Sequence, residues 1–359
     1  MRIGILTFHA AHNYGAVLQC YSLQEYLKSL GHDVSVIDYQ NKKLLTVYQR
    51  FRWERIIKKN PVKMIKNIIT EILIYQKRKQ RYNAFQEFIS NNIKTEPVES
   101  ITKLPFDVIF IGSDQVWNYN LTYGFDPYYW GDFVCPSKTM LASYAASMQD
   151  NWPESKDEII SSKLKNFDFV SVRELSLAQK LQLLSPSKKV YHVVDPTLLL
   201  PASMWNCIAN KSKVNKPYVL FYQVDVNPLA RQIAQAIANR EGLQLLVISA
   251  NIQNENDNVA ISASPADFLS LIKESAMVVS ASFHATVFSI LFKKNFYSIK
   301  GHGKNARINS LLSSCGLNNR IIDHIPNEII PVDYSMVSID KINKESILYI
   351  DKVIKAYEQ

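Results

Sequence analysis

Residues 2 to 39 read RIGILTFHAAHNYGAVLQCYSLQEYLKSLGHDVSVIDY, and this stretch decides the fold class. It opens with an apolar strand that leads to Asn13, a residue suited to cap the helix predicted over residues 14–30. Gly31 ends that helix, and residues 33–39 form a second strand. Strand, helix and strand in this order make a right-handed βαβ unit, so the sequence predicts a parallel sheet.

The same alternation continues in two sets, which a lysine-rich stretch at residues 210–216 separates. A chain of 359 residues exceeds one ordinary core. We therefore predict an α/β protein with two Rossmann-like doubly wound domains facing a cleft, residues 1–209 and 217–335, and a helix at 341–358 packing across them. Strands are predicted at 106–111, 140–146, 169–172, 190–194, 218–224, 243–249, 277–281 and 296–299, and helices at 228–240, 265–274 and 283–292.

Residues 42–92 form a different block, a basic helical insertion in the first domain that is broken at Pro61. Between Arg50 and Arg81 there are eleven lysines and arginines against two glutamates, a surplus that equals the net charge of +9 of the whole chain. Aliphatic residues alternate with these charges. A binding partner of this protein is therefore expected to contact one basic segment and not a generally cationic surface.

Composition limits the class of protein. Apolar residues make up 47% and charged residues 20% of the chain, as in globular proteins, and no apolar run reaches the ~18 residues of a membrane span. The N-terminus lacks a signal-peptide layout, so a cytoplasmic protein is expected. The four cysteines lie far apart, and no metal site is predicted. No nucleic-acid module is present, and nucleic acid is not an expected partner.

An apolar run over residues 277–292 contains a single ionisable side chain, His284. It lies where a predicted strand ends and a predicted helix begins, between Ser282 and Thr286. Ligands of open parallel sheets bind at this point, beside the free N–H groups of the helix. A histidine there can meet an anion and move a proton near neutral pH. The alternative is a core histidine bonded to a backbone carbonyl.

Two more polar segments follow predicted strands in the first domain. One contains His9, Asn13 and Tyr14, with Gly15 allowing close backbone approach; a capped turn is its alternative. The other runs Gly-Ser-Asp-Gln-Val-Trp-Asn from residue 112 to residue 118. Carbohydrates are held by such hydrogen-bonding groups and by an aromatic ring, so the second segment resembles a sugar site, while the first resembles a ligand loop. The predicted ligand-binding residues of the two segments are His9, Asn13, Tyr14, Ser113, Asp114, Gln115 and Trp117.

Cations follow strands at two other places. Arg173 closes an apolar strand, where it must bind an anion or pair with Glu174 or Asp195. Residues 300–307 read KGHGKNAR and offer cations that suit an anionic ligand, among them Lys304 and Arg307; a solvated loop is the alternative.

Taken in order, five segments resemble the polysaccharide pyruvyl transferase family: residues 3–19, 112–117, Val172-Arg173-Glu174, Asp195-Pro196-Thr197 and Ser282-Phe283-His284. The resemblance spans most of the chain and implies a fold similar to two-domain, GT-B-type glycosyltransferases. It implies an enzyme, a transferase that moves the pyruvyl group of phosphoenolpyruvate onto two hydroxyls of a sugar as a cyclic ketal. Phosphoenolpyruvate is the donor substrate and no cofactor is implied. The products belong to capsular, exopolysaccharide or cell-wall polymer biosynthesis.

The resemblance also suggests roles for residues. His284 is the implied acid and donor ligand, and Arg173 binds the donor. Ser282 is also an expected donor contact. Many members carry an arginine at this position, so Lys304 or Arg307 is expected to bind the donor and supply the missing cation. The predicted ligand-binding residues of the first domain are then the expected acceptor contacts. Position alone suggests Asp114 or His9 as the base toward the acceptor hydroxyl.

The expected acceptor is a galactose-type sugar on a polyprenyl diphosphate carrier. A cationic amphipathic segment suits an anionic membrane surface. We therefore expect peripheral attachment to the inner face of a bacterial cytoplasmic membrane. Docking or carrier contacts are expected from Lys58, Lys59, Lys77, Arg78 and Lys79; the alternative is a solvated helical hairpin packed on the first domain. Two other functions stay open: a GT-B-type glycosyltransferase that uses a nucleotide sugar, and a non-catalytic glycan- or membrane-binding protein.

Overall fold

The structure is a computed structural model that describes residues 1–56, 61–103, 105–133, 139–148, 152–211, 214–250, 252, 255, 258–300 and 306–359. The first half contains β1 (Arg2–Leu6), α1 (Tyr14–Ser29), β2 (Asp33–Asp38), α2 (Lys42–Leu45), α3 (Trp53–Ile56), α4 (Pro61–Asn92), β3 (Thr95–Pro97), α5 (Ser100–Lys103), β4 (Val108–Ile111), β5 (Met140–Ser143), α6 (Asp157–Leu164), β6 (Val170–Val172), α7 (Leu175–Leu184), β7 (Val190–His192) and α8 (Ala202–Ile208).

The second half contains β8 (Tyr218–Gln223), α9 (Pro228–Arg240), β9 (Gln244–Ser249), α10 (Asn258–Ser262), α11 (Pro265–Glu274), β10 (Met277–Ser280), α12 (Phe283–Leu291), β11 (Asn295–Ile299), α13 (Ala306–Ser314), β12 (Ile321–Ile322) and α14 (Ile339–Glu358). Short 3₁₀ turns lie at Thr46–Tyr48, Glu154–Lys156, Pro196–Leu198 and Asn318–Arg320.

Two parallel sheets form the framework. The first has the strand order β3-β2-β1-β4-β5, and the second has the order β12-β11-β10-β8-β9. Ile5 of β1 lies opposite Val36 on one side and Phe110 on the other, and all three are buried. Apolar central strands covered on both faces are what parallel sheets require. The α/β class with two Rossmann-like units, predicted from the sequence, is confirmed.

Helix starts follow the predicted local chemistry. The Asn13 side chain accepts a hydrogen bond from the Gly15 N–H (2.9 Å) and caps α1. Ser264 and Asp267 form a reciprocal capping box at the start of α11, where Pro265 occupies the first turn. Helix α4 begins at Pro61, the break predicted in the basic block.

The last helix, α14, is anchored to the first half of the chain. The Tyr349 hydroxyl donates to the Ser143 carbonyl (2.7 Å), and the Val194 N–H donates to the Ser346 hydroxyl (2.8 Å). The same helix buries Ile350, Val353 and Tyr349 in a core that also contains Phe288 of the second half. It therefore stabilises the relative position of the two halves.

Helix α4 presents two different faces. One face is buried and contains Glu71, Ile74, Arg78, Arg81 and Phe85. The opposite face carries an exposed apolar stripe at helical spacing: Val62, Ile65, Ile69, Ile72 and Leu73. Within the described ranges, no helix combines the length and the apolarity that a membrane span needs.

Candidate functional site

The carboxyl ends of strands from both sheets border a cleft of about 490 Å³. Loops after β1 and β4 line it from the first half, and the loops after β8 and β10 line it from the second. Its polar lining includes Asn13, Asp114, Gln115, Ser282, His284 and Arg307. The structure thus brings together residues that lie as far apart in the sequence as Asn13 and Arg307.

The N-terminus of α12 opens into this cleft, and no side chain of the described residues caps it. Ser282 holds the N-cap position, but its hydroxyl makes no capping hydrogen bond. Its N–H donates to the Ser280 hydroxyl (2.9 Å), and its carbonyl accepts from the Thr286 N–H (3.1 Å). The first N–H groups of α12 and the positive end of its dipole are consequently available to an anion in the cleft.

His284 is the second residue of α12 and is buried at the cleft wall. Its Nε2 faces the Asp195 carboxylate at 3.5 Å and has no hydrogen-bond partner among the described residues. The alternative of a core histidine bonded to a backbone carbonyl therefore does not describe this nitrogen. With Nε2 directed at Asp195, Nδ1 is the other nitrogen of the ring, and it lies beside Gly15.

Asp195 joins His284 to Arg173. Its Oδ2 accepts from the Arg173 guanidinium at 2.5 Å, and its Oδ1 accepts from the Thr197 hydroxyl at 2.7 Å. Burial alone would raise the pKa of Asp195, but His284 and Arg173 hold that pKa well below its usual range. A permanent negative charge therefore lies behind the histidine ring, where it orients the ring.

The ring of His284 lies directly against Gly15. A Cβ built on Gly15 would stand 2.0 Å from Nδ1 of His284 and 2.4 Å from its Cε1. Such contacts are far below van der Waals distance, so only glycine fits at this position. The close backbone approach predicted for Gly15 is real, but the group it admits is a side chain of this chain.

Two guanidiniums share this region. Arg307, in the first turn of α13, places its Nε 3.9 Å from Glu174, and Arg307 and Arg173 both lie over the Phe283 ring. Burial lowers the pKa of Arg307, and the neighbouring Arg173 lowers it further. Since Arg173 is held by Asp195, Arg307 is the guanidinium that borders the cleft itself.

Asp114 and Gln115 line the cleft from the first half. Asp114 has a positive φ of 66°, and its Oδ1 lies 3.5 Å from the Arg173 guanidinium. Gln115 accepts a hydrogen bond from the Asn118 amide (2.8 Å). Ser113 lies beneath them, fully buried, with its hydroxyl donating to the Ala145 carbonyl (3.0 Å), so it supports the turn and does not reach a ligand.

Besides Ser113, three predicted acceptor contacts do not face the cleft. Trp117 is fully buried and stacks on Trp130 at 4.7 Å, which makes the predicted sugar stacking wrong. His9 is buried, and its Nε2 lies 2.9 Å from Asp38, so it does not serve as the base. The Tyr14 hydroxyl donates to the Ala263 carbonyl (3.0 Å).

The sequence does not show in which direction these side chains point. An aromatic or polar residue just after a strand can turn into the core of its own domain as readily as into the cleft, and period-2 alternation stops at the strand end.

Some basic candidates lie outside the described residues: Lys58, Lys59 and Lys304. Arg78 is buried and forms an ion pair with Glu71, so it cannot lie on a membrane surface. Lys77 is exposed and Lys79 is half-buried on α4. Among the described residues, no group of histidine, cysteine, aspartate and glutamate side chains could hold a metal ion.

Asp195 is a site residue whose contact with His284 the sequence did not reveal. Its position pointed to the site, because Asp195-Pro196 follows the predicted strand at 190–194, at the carboxyl edge of the sheet. The sequence offered it as a partner of Arg173. The long-range contact with His284, across 89 positions, could be seen only in the structure.

Comparison with known proteins identifies the family of this chain. The model of the polysaccharide pyruvyl transferase family matches residues 13–303. No curated protein sequence matches the chain.

Similar solved structures include UDP-N-acetylglucosamine 2-epimerases from Rickettsia bellii (10% identity, 99% of this chain and 96% of that chain, TM-score 0.48) and Methanocaldococcus jannaschii (10%, 98% and 100%, 0.45). Another is the E. coli ADP-heptose heptosyltransferase II (12%, 98% and 99%, 0.40). The family match spans most of the chain and both halves of the cleft, and it includes Asn13, Asp114, Arg173, Asp195 and His284. The chain belongs to the polysaccharide pyruvyl transferase family.

Proposed function

We propose that this chain transfers the enolpyruvyl unit of phosphoenolpyruvate to two hydroxyls of a sugar, which become bridged by a cyclic pyruvate ketal. The observation that carries the proposal is the His284 site: an uncapped helix N-terminus, a histidine backed by a buried carboxylate, and a guanidinium in one cleft. Phosphoenolpyruvate carries two anionic groups and an enol that must gain a proton, and these are the groups that such a site can serve.

The donor fits between the two cationic features. We assign the phosphate and carboxylate to Arg307 and to the first N–H groups of α12, with His284 beside the methylene carbon. Arg307 thereby replaces the arginine that many family members carry where this chain has Ser282. Arg173 acts from behind, by holding Asp195 in place with its 2.5 Å hydrogen bond.

The chemistry balances without a cofactor. His284 donates a proton to the methylene carbon, and one sugar hydroxyl adds to the neighbouring carbon as its O–H proton is removed. The C–O bond to phosphate then breaks, inorganic phosphate leaves, and the second hydroxyl closes the ring. Of the two hydroxyl protons released, one restores His284 and the other leaves with phosphate. Asp114, which borders the cleft opposite His284, is the proposed base.

The acceptor side is proposed at Asn13, Asp114 and Gln115, whose oxygen and nitrogen atoms suit sugar hydroxyls. A galactose-type sugar is proposed, carried by a polyprenyl diphosphate lipid in capsular, exopolysaccharide or cell-wall polymer synthesis. In this proposal the enzyme works at the inner face of a bacterial cytoplasmic membrane.

A ligand screen separates this function from the rivals. Phosphoenolpyruvate should raise the melting temperature of the protein, because a ligand that binds the folded state stabilises it. Stabilisation by UDP- or GDP-sugars and not by phosphoenolpyruvate would instead favour a glycosyltransferase. His284→Ala should abolish phosphate release while acceptor affinity persists, whereas a pure binding module has no turnover to lose.

Membrane docking is supported by the surface of α4. Its exposed apolar stripe is flanked by the exposed cations Lys63, Lys66 and Lys77, while Glu71 is buried on the opposite face. Contiguous exposed apolar residues bordered by cations suit the interface of an anionic bilayer. We propose that this stripe and its lysines lie on the membrane.

Co-sedimentation with vesicles tests the docking surface. Wild-type protein should bind phosphatidylglycerol vesicles and not phosphatidylcholine vesicles. Ile69→Asp with Leu73→Asp should abolish binding, whereas Leu183→Asp, at a residue 80% exposed on α7, is the matched control and should not. Replacing Lys58, Lys59, Lys77 and Lys79 with Gln should weaken binding. Equal binding by all these proteins would refute the docking surface.

A further inference from the structure

A second cavity of about 440 Å³ adjoins the catalytic cleft. The two share a wall that includes Asn13, Tyr48 and Asp225. The catalytic cleft must hold phosphoenolpyruvate and the sugar ring that receives it. The adjoining space beyond that ring is therefore the nearest one for a further part of the acceptor.

The charges of the second cavity are balanced within the protein. Arg78 pairs with buried Glu71, and Arg81 pairs with buried Glu255 and donates to the Ser249 carbonyl (2.9 Å). Among the described lining residues, Arg52 and Asp225 add one charge of each sign. The charged groups of the described lining and their ion-pair partners therefore balance, which favours a neutral ligand over a diphosphate.

The rest of the lining is aromatic and polar. Tyr82 is fixed between Arg50, whose guanidinium lies 4.4 Å from the ring centre, and His12, whose ring lies 4.5 Å away. Burial, with a contribution from Arg50, lowers the pKa of His12 to about 4, so this ring is neutral at physiological pH. Neutral hydrogen-bonding groups beside fixed aromatic rings are typical of carbohydrate sites.

The second cavity lies against the buried face of α4. Ile74, Arg78, Arg81 and Tyr82 of that helix line it. The exposed apolar stripe, which ends at Leu73, is on the opposite face of the same helix. The second cavity and the proposed membrane surface therefore lie on opposite sides of α4.

We propose that the second cavity binds a neutral sugar residue, so that the preferred acceptor is at least a disaccharide. Its terminal sugar lies beside His284 and receives the ketal, and its next sugar lies against Tyr82 and Tyr48. This inference rests on the proposed function, because it assigns the remaining part of the same acceptor.

Acceptor length tests it. Phosphate release from phosphoenolpyruvate is measured with the methyl glycosides of galactose, glucose, mannose and N-acetylglucosamine and with methyl disaccharides that end in each. The disaccharide should exceed its own terminal monosaccharide in kcat/KM by about tenfold or more, as for one well-packed sugar ring. A panel in which no disaccharide exceeds its monosaccharide overturns the inference. Turnover of monosaccharides alone would do so while leaving the proposed function intact.

Variants identify the cavity. Tyr82→Ala should remove most of the disaccharide advantage and leave monosaccharide turnover within about twofold, and Tyr82→Phe should keep it. Val226→Trp fills the rim at a residue 60% exposed, and Leu229→Trp, on the adjacent surface and 48% exposed, is its control. Val226→Trp should reduce disaccharide turnover selectively. A uniform loss with both acceptor lengths in Tyr82→Ala and Val226→Trp overturns the assignment of this cavity.

Discussion

Gly15→Ala tests the central geometry of the site with one methyl group. The new Cβ would stand 2.0 Å from Nδ1 of His284, whereas ordinary contact begins at 3.4 Å. The histidine ring must therefore move by more than 1 Å. A misplacement of that size at a reacting group lowers the rate by about 100-fold. The change also gains about 1 kcal/mol of helix propensity in the first turn of α1, which offsets part of the clash in stability.

The assay is the rate of phosphate release from phosphoenolpyruvate with acceptor, per folded molecule. Gly4→Ala is the matched control, because its Cβ would approach side-chain atoms of Ile37 and Phe106 at 3.0 and 3.1 Å, away from the cleft. The control should lose stability but keep its kcat. Gly15→Ala with a kcat within threefold of wild type would refute the view that Gly15 positions His284.

Three further predictions concern the charges around the site. Asp195→Asn should lower kcat about 100-fold with a KM for phosphoenolpyruvate within threefold, because Asp195 orients His284 without touching substrate. The same change should cost about 3 kcal/mol of stability, because it removes the closest counter-charge of buried Arg173. Steady-state kinetics and urea unfolding measure the two effects. Arg307→Gln should raise the KM for phosphoenolpyruvate by about 10- to 100-fold, the value of a hydrogen bond to a charged group, and an unchanged KM contradicts its donor role. His12 has a folded pKa of about 4 against 6.5 in the unfolded chain, so the unfolded state takes up the proton first and stability falls as the pH drops from 7 to 5, by about 2 kcal/mol from this residue. His12→Gln should remove that part of the loss, as urea unfolding at the two pH values will show.

The fold was largely predictable because its signals are local. The pattern over residues 2–39 contains its own strand, cap, helix and C-terminal glycine, and α9 and α11 begin and end where the sequence predicts. The element missed at the site was α13, which places Arg307 on a helix and not on a loop. The sequence placed Arg307 in the stretch of glycines and cations at residues 300–307, and that stretch has no helical periodicity.

The site was predictable only in part because side-chain direction is not a local property. His284, Asp114 and Arg307 reach the cleft because they follow strand ends on the side where the two sheets meet. Trp117 follows a strand in the same way, yet packs on Trp130 inside the first half. In the same way, the sequence of the basic block does not show which of its cations are exposed. Arg78 turns inward to Glu71, while neighbouring lysines remain outside.

Ketal formation itself is the most direct test. Wild-type enzyme, phosphoenolpyruvate and a lipid-linked or synthetic disaccharide acceptor are incubated together, and inorganic phosphate and product mass are followed in the same sample. The account predicts one phosphate released for each acceptor that gains a pyruvate ketal, and neither signal with His284→Ala. Sugar transfer from a nucleotide sugar, with no ketal formed from phosphoenolpyruvate, would contradict it.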